Sequence, residues 1–260
     1  METTTRLRIV LTGAAGNLGR KLRAHWGGRH DVEGTDVDPR GDQTIAQADL
    51  TRFDARWAAR FGGRDVIVHC AANGSPAQDW SEAQRNIIGT FNVLEAARAG
   101  GVRRVVFISS NHVMGAYQDQ PTPHALTTAL APRPGAAWRR HDGKIATSHD
   151  YGMGKLCGEE IARCFADTHN LEVVCVRVGW VQAGDNRVED MPPSMDEWTR
   201  LMWLSNGDLC RLLDACVAAP LSQRFVIVNG MSANRGMRWD IAAARDAIGY
   251  QPLDGYLGRG

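Results

Sequence analysis

A chain of 260 residues, 43% of them hydrophobic, is long enough to bury the core of one large domain. Its 30 Lys and Arg residues nearly balance 29 Asp and Glu, so bulk charge gives no reason to expect a nucleic-acid or membrane partner. None of the six cysteines forms a Cys-x-x-Cys pair, which predicts free thiols and no metal site. The sequence has no apolar run of membrane-spanning length, and its polar start lacks the apolar core of a signal peptide. We therefore expect a cytoplasmic protein.

Strands and helices alternate along the predicted chain. Apolar runs predict strands at residues 7–11, 30–36, 66–72, 102–110, 172–178 and 224–228. Apolar residues at helical spacing predict helices at 18–26, 51–61, 80–99, 151–168 and 239–248, and over most of 196–219. Because strand-helix-strand units cross over right-handed and build parallel sheets, we expect an α/β fold with a Rossmann-like, doubly wound parallel sheet and helices on both faces.

A glycine-rich turn, Thr12–Gly19, joins the first strand to the first helix. Strand, glycine turn and helix in this order are the context of a dinucleotide-binding site. In such a site Gly13 permits the tight turn, Gly16 lets the backbone approach a pyrophosphate, and Gly19 lets the helix pack on the strand. Taken alone, the glycines also fit an ordinary turn between a strand and a helix.

Asp36 ends the second predicted strand, about 20 residues after the glycines. A carboxylate there can accept hydrogen bonds from a ribose diol and repels a 2′-phosphate, which favours NAD over NADP. The alternative is a solvated acidic turn. The third predicted strand ends in small residues, Cys70–Ala72, which leave room for a ligand at the edge of the sheet. His69, within that strand, is interpreted as a core histidine rather than a catalyst.

A further set of polar residues predicts a catalytic site for proton and hydride transfer. Ser110 follows a predicted strand, and Tyr151 and Lys155 lie one turn apart on one face of the next helix. The Lys155 ammonium is expected to lower the pKa of Tyr151, so that the phenol acts as a general base on a substrate hydroxyl held by Ser110. In this order along the chain, the residues predict hydride transfer from a hydroxyl-bearing carbon to a nicotinamide.

The segment between Tyr117 and Ser148 contains four prolines and no clear periodicity. Basic side chains cluster near its end, at Arg139, Arg140, His141 and Lys144. A loop of this length in a compact domain is usually functional or mobile, and a solvated basic loop is the equal alternative.

These motifs resemble the extended short-chain dehydrogenase/reductase superfamily of the NAD-dependent epimerase/dehydratase type, over essentially the whole chain. The matching segments are 12–19, Asp36, 49–50, 70–72, 86–97, 109–110 and 151–155. Within the superfamily the sequence is most similar to the uronate dehydrogenases, through residues 109–112 with Gly115, 203–205 and 232–234.

The resemblance implies a catalytic set of Ser110, Tyr151 and Lys155, and a set of side and main chains around NAD. The cofactor set is Gly13, Gly16, Asn17, Leu18, Gly19, Asp36, Asp49, Leu50, Cys70, Ala71, Ala72, Asn86, Ser109, Tyr151, Lys155 and Val178. The substrate set is Ser75, Ser110, Asn111, His112, Tyr151, Trp180 and Arg187. Arg187 would hold a substrate carboxylate through a bidentate pair; a surface loop arginine is the alternative.

The implied reaction is NAD-dependent oxidation of the anomeric hydroxyl of an acidic hexose, such as a uronate, to a lactone. Three departures from the uronate dehydrogenases border the substrate side: a longer segment between Gly115 and Tyr151, Trp180 in place of a small residue, and an extended loop at 181–197. They leave a sulfonated sugar of the sulfoquinovose type or a neutral aldose as alternative substrates. A nucleotide-sugar epimerase or dehydratase, a dinucleotide sensor and a carbonyl reductase are alternative functions, although only 105 residues follow Lys155, which favours a small substrate.

The resemblance also implies an organisation for the chain. Residues 1–178 are expected to form mainly the NAD-binding domain, and residues 179–260 mainly a small substrate-binding region that adds one strand and helices to the same compact unit. We expect a homo-oligomer, a dimer or higher, paired through the helices at 80–99 and 151–168. Gly158, Ile161, Ala162 and Phe165 could supply the pairing face or belong to the core.

Overall fold

The computed structural model describes residues 5–139 and 144–258, excluding the side chain of Arg139. The strands are β1 (Arg8–Thr12), β2 (Asp31–Asp36), β3 (Ile45–Gln47), β4 (Val66–His69), β5 (Arg104–Ile108), β6 (Ala137–Arg139), β7 (Ile145–Thr147), β8 (Glu172–Val178) and β9 (Phe225–Gly230). The α-helices are α1 (Asn17–Trp26), α2 (Ala55–Ala58), α3 (Trp80–Ala99), α4 (His149–Thr168), α5 (Glu197–Leu201), α6 (Asn206–Ala218) and α7 (Ala242–Ile248).

One large parallel sheet organises the described part of the chain, with the strand order β3-β2-β1-β4-β5-β8-β9. The order reverses between β1 and β4, and open parallel sheets bind ligands at the carboxyl ends of the strands beside such a reversal. The loops after Thr12 and His69 meet there, since these residues are paired in register. The predicted Rossmann-like, doubly wound fold is confirmed.

Apolar layers cover both faces of the sheet. On one face, Leu22 of α1, Leu212 of α6 and Ile248 of α7 pack into a cluster with β-strand side chains. On the other face, Trp57 of α2 and Leu94 of α3 belong to a second cluster with α4. Burial of these side chains contributes about 25 cal/mol per Å² of apolar surface removed from water, and it fixes the strand ends that carry the site.

His69 has the structural role predicted for it. Its ring nitrogens lie 2.8 Å from the Thr12 hydroxyl and 3.3 Å from the Thr90 hydroxyl. Burial lowers the pKa of His69 to about 3, so the ring stays neutral in the core.

Several helix boundaries differ from the predicted ones, and at α2 and α6 a polar side chain caps the observed start. The helix expected over 51–61 begins at Ala55, where the Asp54 carboxylate accepts the Arg56 N–H at 2.7 Å. The 196–219 helix is divided into α5 and α6, and the Ser205 hydroxyl caps α6 by accepting the Asp208 N–H at 2.8 Å. The helix expected from residue 239 begins instead at Ala242. β3 was not predicted because three residues are too few for a periodic signal.

The long segment at 117–148 is anchored rather than a free solvated loop over its described residues. Strands β6 and β7 pair antiparallel within it, and Leu126 pairs with Trp239. The Arg238 guanidinium donates to the carbonyl oxygens of Tyr117 and Pro123. Arg140 and His141 of the predicted basic cluster lie outside the described residues, and Lys144 is exposed.

The residues considered for subunit pairing on α4 are mostly core. Ala162 and Phe165 are buried, and a Cβ at Gly158 would lie 2.6 Å from the Phe107 ring. α3 and α4 pack on each other, and Ile88 and Phe91 of α3 are about half exposed. The oligomeric state, the domain boundary at residue 178 and the cytoplasmic location stay predictions. No helix in the described ranges is long and apolar enough to cross a membrane.

Candidate active site

Two cavities, of about 360 and 380 Å³, meet at the glycine turn. Both are lined by Gly13, Gly16, Cys70 and Ala72. The first extends over the ends of β2 and β4, and the second extends over the ends of β5 and β8 to α4. A ligand that spans both would place one end near Asp36 and the other near Tyr151.

The glycine turn has the geometry that a dinucleotide cradle requires. Gly13 has φ +69°, and a Cβ there would lie 2.7 Å from the Ala71 nitrogen. A Cβ at Gly19 would lie 2.2 Å from the Gly13 carbonyl oxygen, so only glycine lets α1 approach β1. Gly16 caps α1 without a side chain, which leaves the helix N-terminus accessible to a phosphate. These residues fit a bound dinucleotide.

The Asp36 carboxylate is held in place at the first cavity. Its Oδ2 accepts the Ala15 N–H at 2.9 Å, and its Oδ1 accepts the Asp38 N–H at 3.1 Å. Arg40 lines the same cavity, and no sequence signal pointed to it. A carboxylate fixed beside the glycine turn is suited to a ribose diol.

Four further residues expected to bind the cofactor also line the first cavity. They are Asp49, Leu50, Ala71 and Asn86. The Asp49 carboxylate accepts a 2.6 Å hydrogen bond from the Thr51 hydroxyl, and this bond lowers the pKa of Asp49. The Asn86 amide oxygen accepts the Asn73 N–H at 2.9 Å, which fixes the loop after β4 on α3.

The predicted catalytic residues lie together at the second cavity. Ser110, Tyr151 and Lys155 line it, with Ser109, Val178, Trp180 and the first turn of α1. Lys155 is buried, and its ammonium donates a 2.7 Å hydrogen bond to the Ile108 carbonyl oxygen. Burial lowers the pKa of Lys155 to about 8.

The expected lowering of the Tyr151 pKa is not found. Burial raises the pKa of the phenol, and a hydrogen bond with the Ser110 side chain opposes that rise. Lys155 Nζ lies 5.9 Å from the centre of the Tyr151 ring. Desolvation of the phenol is the largest effect on the Tyr151 pKa, and the spacing of Tyr151 and Lys155 in the sequence does not reveal it.

The Asn17 side chain joins the cofactor turn to the loop after β8. Its amide nitrogen lies 3.0 Å from the Val181 carbonyl oxygen and 3.2 Å from that of Gln182. The main chain of Trp180, in the same loop, pairs with Trp203. These contacts hold the Trp180 side chain at the second cavity.

Four residues expected to contact the substrate do not line either cavity. Ser75 is exposed in the loop after β4, and Arg187 forms an exposed ion pair of 2.9 Å with Asp185. The Asn111 amide donates to the Val178 carbonyl oxygen at 3.0 Å, and its buried Oδ1 has no partner among the described residues. His112 packs edge-on against the Tyr151 ring at 5.6 Å, so it adjoins the site without lining the cavity.

A buried ion pair beneath the site was not predicted. The Glu159 carboxylate accepts hydrogen bonds from the Ser109 hydroxyl at 2.6 Å and from Arg177 at 2.7 and 2.9 Å. Glu159 and Arg177 are 0% and 1% exposed. The signal was present, since Glu159 follows Lys155 by four residues on the same helical face. The pair connects α4 with β8 and with Ser109, which follows β5, beneath the predicted catalytic side chains.

Comparisons with known proteins agree with this geometry. Residues 9–192 match the model of the NAD dependent epimerase/dehydratase family. An L-arabinose 1-dehydrogenase (NAD(P)(+)) from Haloferax volcanii is 37% identical over 95% of this chain and 96% of its own. A uronate dehydrogenase from Pseudomonas putida is 31% identical over 98% of this chain and 87% of its own.

A solved structure gives the same result. A uronate dehydrogenase mutant from Agrobacterium tumefaciens, complexed with NAD, is 30% identical over 96% of this chain and 86% of its own, with a TM-score of 0.74. The resemblance predicted from the sequence is therefore confirmed, and the chain belongs to the NAD-dependent epimerase/dehydratase family.

Proposed function

We propose that this protein is an NAD-dependent sugar dehydrogenase that oxidises the anomeric hydroxyl of a small sugar to the lactone. The observation that carries the proposal is that Ser110, Tyr151 and Lys155 line the cavity that begins at the glycine turn. Oxidation at a carbon bearing a hydroxyl needs a base for the hydroxyl proton beside a two-electron acceptor. NAD, when bound, supplies that acceptor.

Each catalytic side chain has a separate role in the proposal. Tyr151 removes the proton from the C1 hydroxyl, and Ser110 holds the same oxygen by a hydrogen bond. Lys155 is fixed by Ile108 close to Tyr151, where its ammonium, while protonated, opposes the rise in the Tyr151 pKa that burial causes. Asp36 accepts the ribose diol of the cofactor at the other end of the site.

An acidic hexose, such as a uronate, is the first candidate substrate. Its support is the 31% identity with a uronate dehydrogenase over nearly the whole chain. In this version Arg187 turns from Asp185 to pair with the substrate carboxylate, since a guanidinium binds a carboxylate through two parallel hydrogen bonds. A sulfonated hexose would use the same cation.

A neutral aldose is the second candidate, and two observations favour it. The relative with 37% identity is an L-arabinose 1-dehydrogenase. Lys155 is the one cation among the described residues that line the second cavity, and Arg187 lies outside it. A neutral sugar needs no cation beyond Lys155.

A substrate panel tests the proposal. The purified protein is incubated with NAD and with glucuronate, galacturonate, sulfoquinovose, L-arabinose and glucose, while NADH absorbance and the lactone product are followed. We expect NADH and lactone with at least one sugar. No NADH with any sugar overturns the proposal, and tightly bound NAD without net NADH formation supports an epimerase or dehydratase.

The variant Arg187→Ala then separates the two substrate classes. If Arg187 binds a carboxylate, KM for a uronate rises about tenfold or more, the effect of losing a charged hydrogen bond. KM for L-arabinose is the internal control and stays the same. Equal KM values for a uronate in both proteins contradict the acidic-substrate version.

A further inference from the structure

The part of the 117–148 segment around Gly135 packs between His112 and the start of α4. The Gly135 N–H donates to the His112 carbonyl oxygen at 2.9 Å. A Cβ at Gly115 would lie 2.4 Å from the Gly135 carbonyl oxygen, and a Cβ at Gly152 would lie 2.6 Å from the His112 carbonyl oxygen. The approach of these backbones therefore depends on glycine at 115 and 152, and it brings the segment against the site.

Ser148 lies at the junction of this segment with α4, and its hydroxyl has an unusual set of partners. Serine before the first residue of a helix usually accepts a hydrogen bond from a first-turn N–H. Ser148 occupies that position in α4 but makes no such bond. Its hydroxyl instead accepts the Ala136 N–H at 2.9 Å and lies 2.7 Å from Nδ1 of His112.

The hydrogen-bonding capacity of Ser148 decides which His112 nitrogen carries the proton. Burial lowers the pKa of His112 to about 4, so at neutral pH the ring is one of two neutral tautomers. Ser148 is completely buried, and its hydroxyl proton has His112 Nδ1 as its acceptor among the described residues. If Nδ1 carried the ring proton, the Ser148 hydroxyl proton would be buried without an acceptor, which costs about 1–3 kcal/mol.

We propose that Ser148, held by the Ala136 N–H, fixes His112 as the Nε2–H tautomer and so makes it a permanent hydrogen-bond donor to an oxygen of the sugar substrate. Ser148 is a positioning residue, because it acts through His112. The nature of the acceptor rests on the proposed function; the tautomer does not.

The arrangement has a consequence for specificity. Nε2 is on the side of the imidazole away from Nδ1 and Ser148, and the ring packs edge-on against Tyr151 at 5.6 Å. A donor fixed beside Tyr151 can bind a hydroxyl, ring or carbonyl oxygen, and it cannot accept a hydrogen bond from a hydroxyl or an amino group. An amino sugar that places its ammonium at this position would be rejected, because two donors would face each other.

The test reads the tautomer directly and needs no substrate. Nitrogen-15 NMR spectra of the histidine side chains are recorded at pH 7 for the wild-type protein, and the His112 signals are identified by their loss in His112→Asn. We expect a protonated Nε2 and an unprotonated Nδ1. A protonated Nδ1, or a ring protonated on both nitrogens, overturns the proposal, and this outcome does not depend on whether Ser148→Ala folds.

Ser148→Ala then tests the cause. The Nε2–H preference should weaken to a tautomer mixture, and kcat/KM should fall about tenfold, the loss of one hydrogen bond of about 1.4 kcal/mol. Thr147→Ala is the matched control, because it removes an exposed hydroxyl from the residue before Ser148. It should change neither the His112 tautomer ratio nor kcat/KM. An unchanged His112 spectrum in folded Ser148→Ala contradicts the proposal. A wild-type protein with the expected tautomer but no sugar oxidation contradicts the proposed function alone.

Discussion

The ammonium of Lys155 donates a 2.7 Å hydrogen bond to the carbonyl oxygen of Ile108, the last residue of β5. The bond ties α4 to the strand end that is followed by Ser109 and Ser110. The same ammonium lies 5.2 Å from the centre of the Phe107 ring, and the Lys155 side chain is buried. The position of the side chain is thus well defined, while the burial of its charge is unfavourable to folding.

Replacing Lys155 by Met should change how stability depends on pH. The folded-state pKa of Lys155 is about 8, against a usual value of 10.5, so between these values the unfolded chain binds more protons than the folded protein. The free energy of unfolding of the wild type, relative to Lys155→Met, should therefore rise by about 2 kcal/mol from pH 7 to pH 10. Urea unfolding of both proteins at the two pH values measures this difference. A constant difference would mean that Lys155 is not desolvated in solution.

Tyr151→Phe should remove the base and leave the fold intact. Loss of a positioned base lowers kcat by about 10²- to 10⁴-fold. Because burial raises the pKa of Tyr151, the phenolate fraction of the wild type increases into the alkaline range, and kcat/KM should rise with pH over that range. Stopped-flow rates of NADH formation against pH check both statements.

Tyr117→Phe is the matched control for Tyr151→Phe. Tyr117 is also buried, but its hydroxyl donates to the Ala131 carbonyl oxygen outside the two cavities. Its replacement should leave the pH profile unchanged. A flat profile for the wild type from mildly acidic to alkaline pH would argue against Tyr151 as the base, provided that chemistry limits the rate.

The cofactor half of the site could be predicted from the sequence because its residues are local and ordered. Gly13, Gly19 and Asp36 act through backbone geometry and a strand end, and the spacing of such features along the chain is visible without a structure. All of the expected cofactor residues accordingly line one or both of the two cavities. Their contacts with NAD stay predictions.

The substrate half was harder to predict because its partners are far apart in sequence. Ser148 meets His112 across 36 residues, and Glu159 meets Arg177 between different elements. No periodic pattern connects such pairs. The family resemblance places Arg187 at the substrate, whereas in the structure its side chain pairs with Asp185.

Glu159→Gln should destabilise the protein more than a surface substitution of the same kind. The variant would leave the guanidinium of Arg177 buried without a counter-charge, and breaking a buried ion pair costs about 3–5 kcal/mol. Urea unfolding should therefore give a free energy of unfolding for Glu159→Gln that is lower than that of the wild type by roughly that amount. Glu160→Gln is the control, since this exposed neighbour pairs with Arg163 at 3.6 Å and should change stability by less than about 1 kcal/mol. Equal effects of the two variants would mean that the Glu159–Arg177 pair is not maintained.

Asp36→Ser should widen the cofactor preference from NAD towards NADP. The substitution removes the carboxylate that repels a 2′-phosphate, and it leaves the Arg40 guanidinium, which lines the same cavity, as a possible partner for that phosphate. KM for NAD should rise about tenfold because a charged acceptor of the ribose diol is lost, and KM for NADP should fall. Initial rates with both cofactors at a fixed sugar concentration give the ratio of kcat/KM for NAD to kcat/KM for NADP.

Asp31→Ser is the control for the cofactor variant. Asp31 begins the strand that Asp36 ends, and it is exposed away from both cavities. The Asp31→Ser variant removes the same charge from the same strand as Asp36→Ser does, so any general electrostatic effect on cofactor binding appears in both variants. Should Asp31→Ser shift the cofactor ratio as far as Asp36→Ser does, the direct contact between Asp36 and the ribose is excluded, and the preference must arise from net charge.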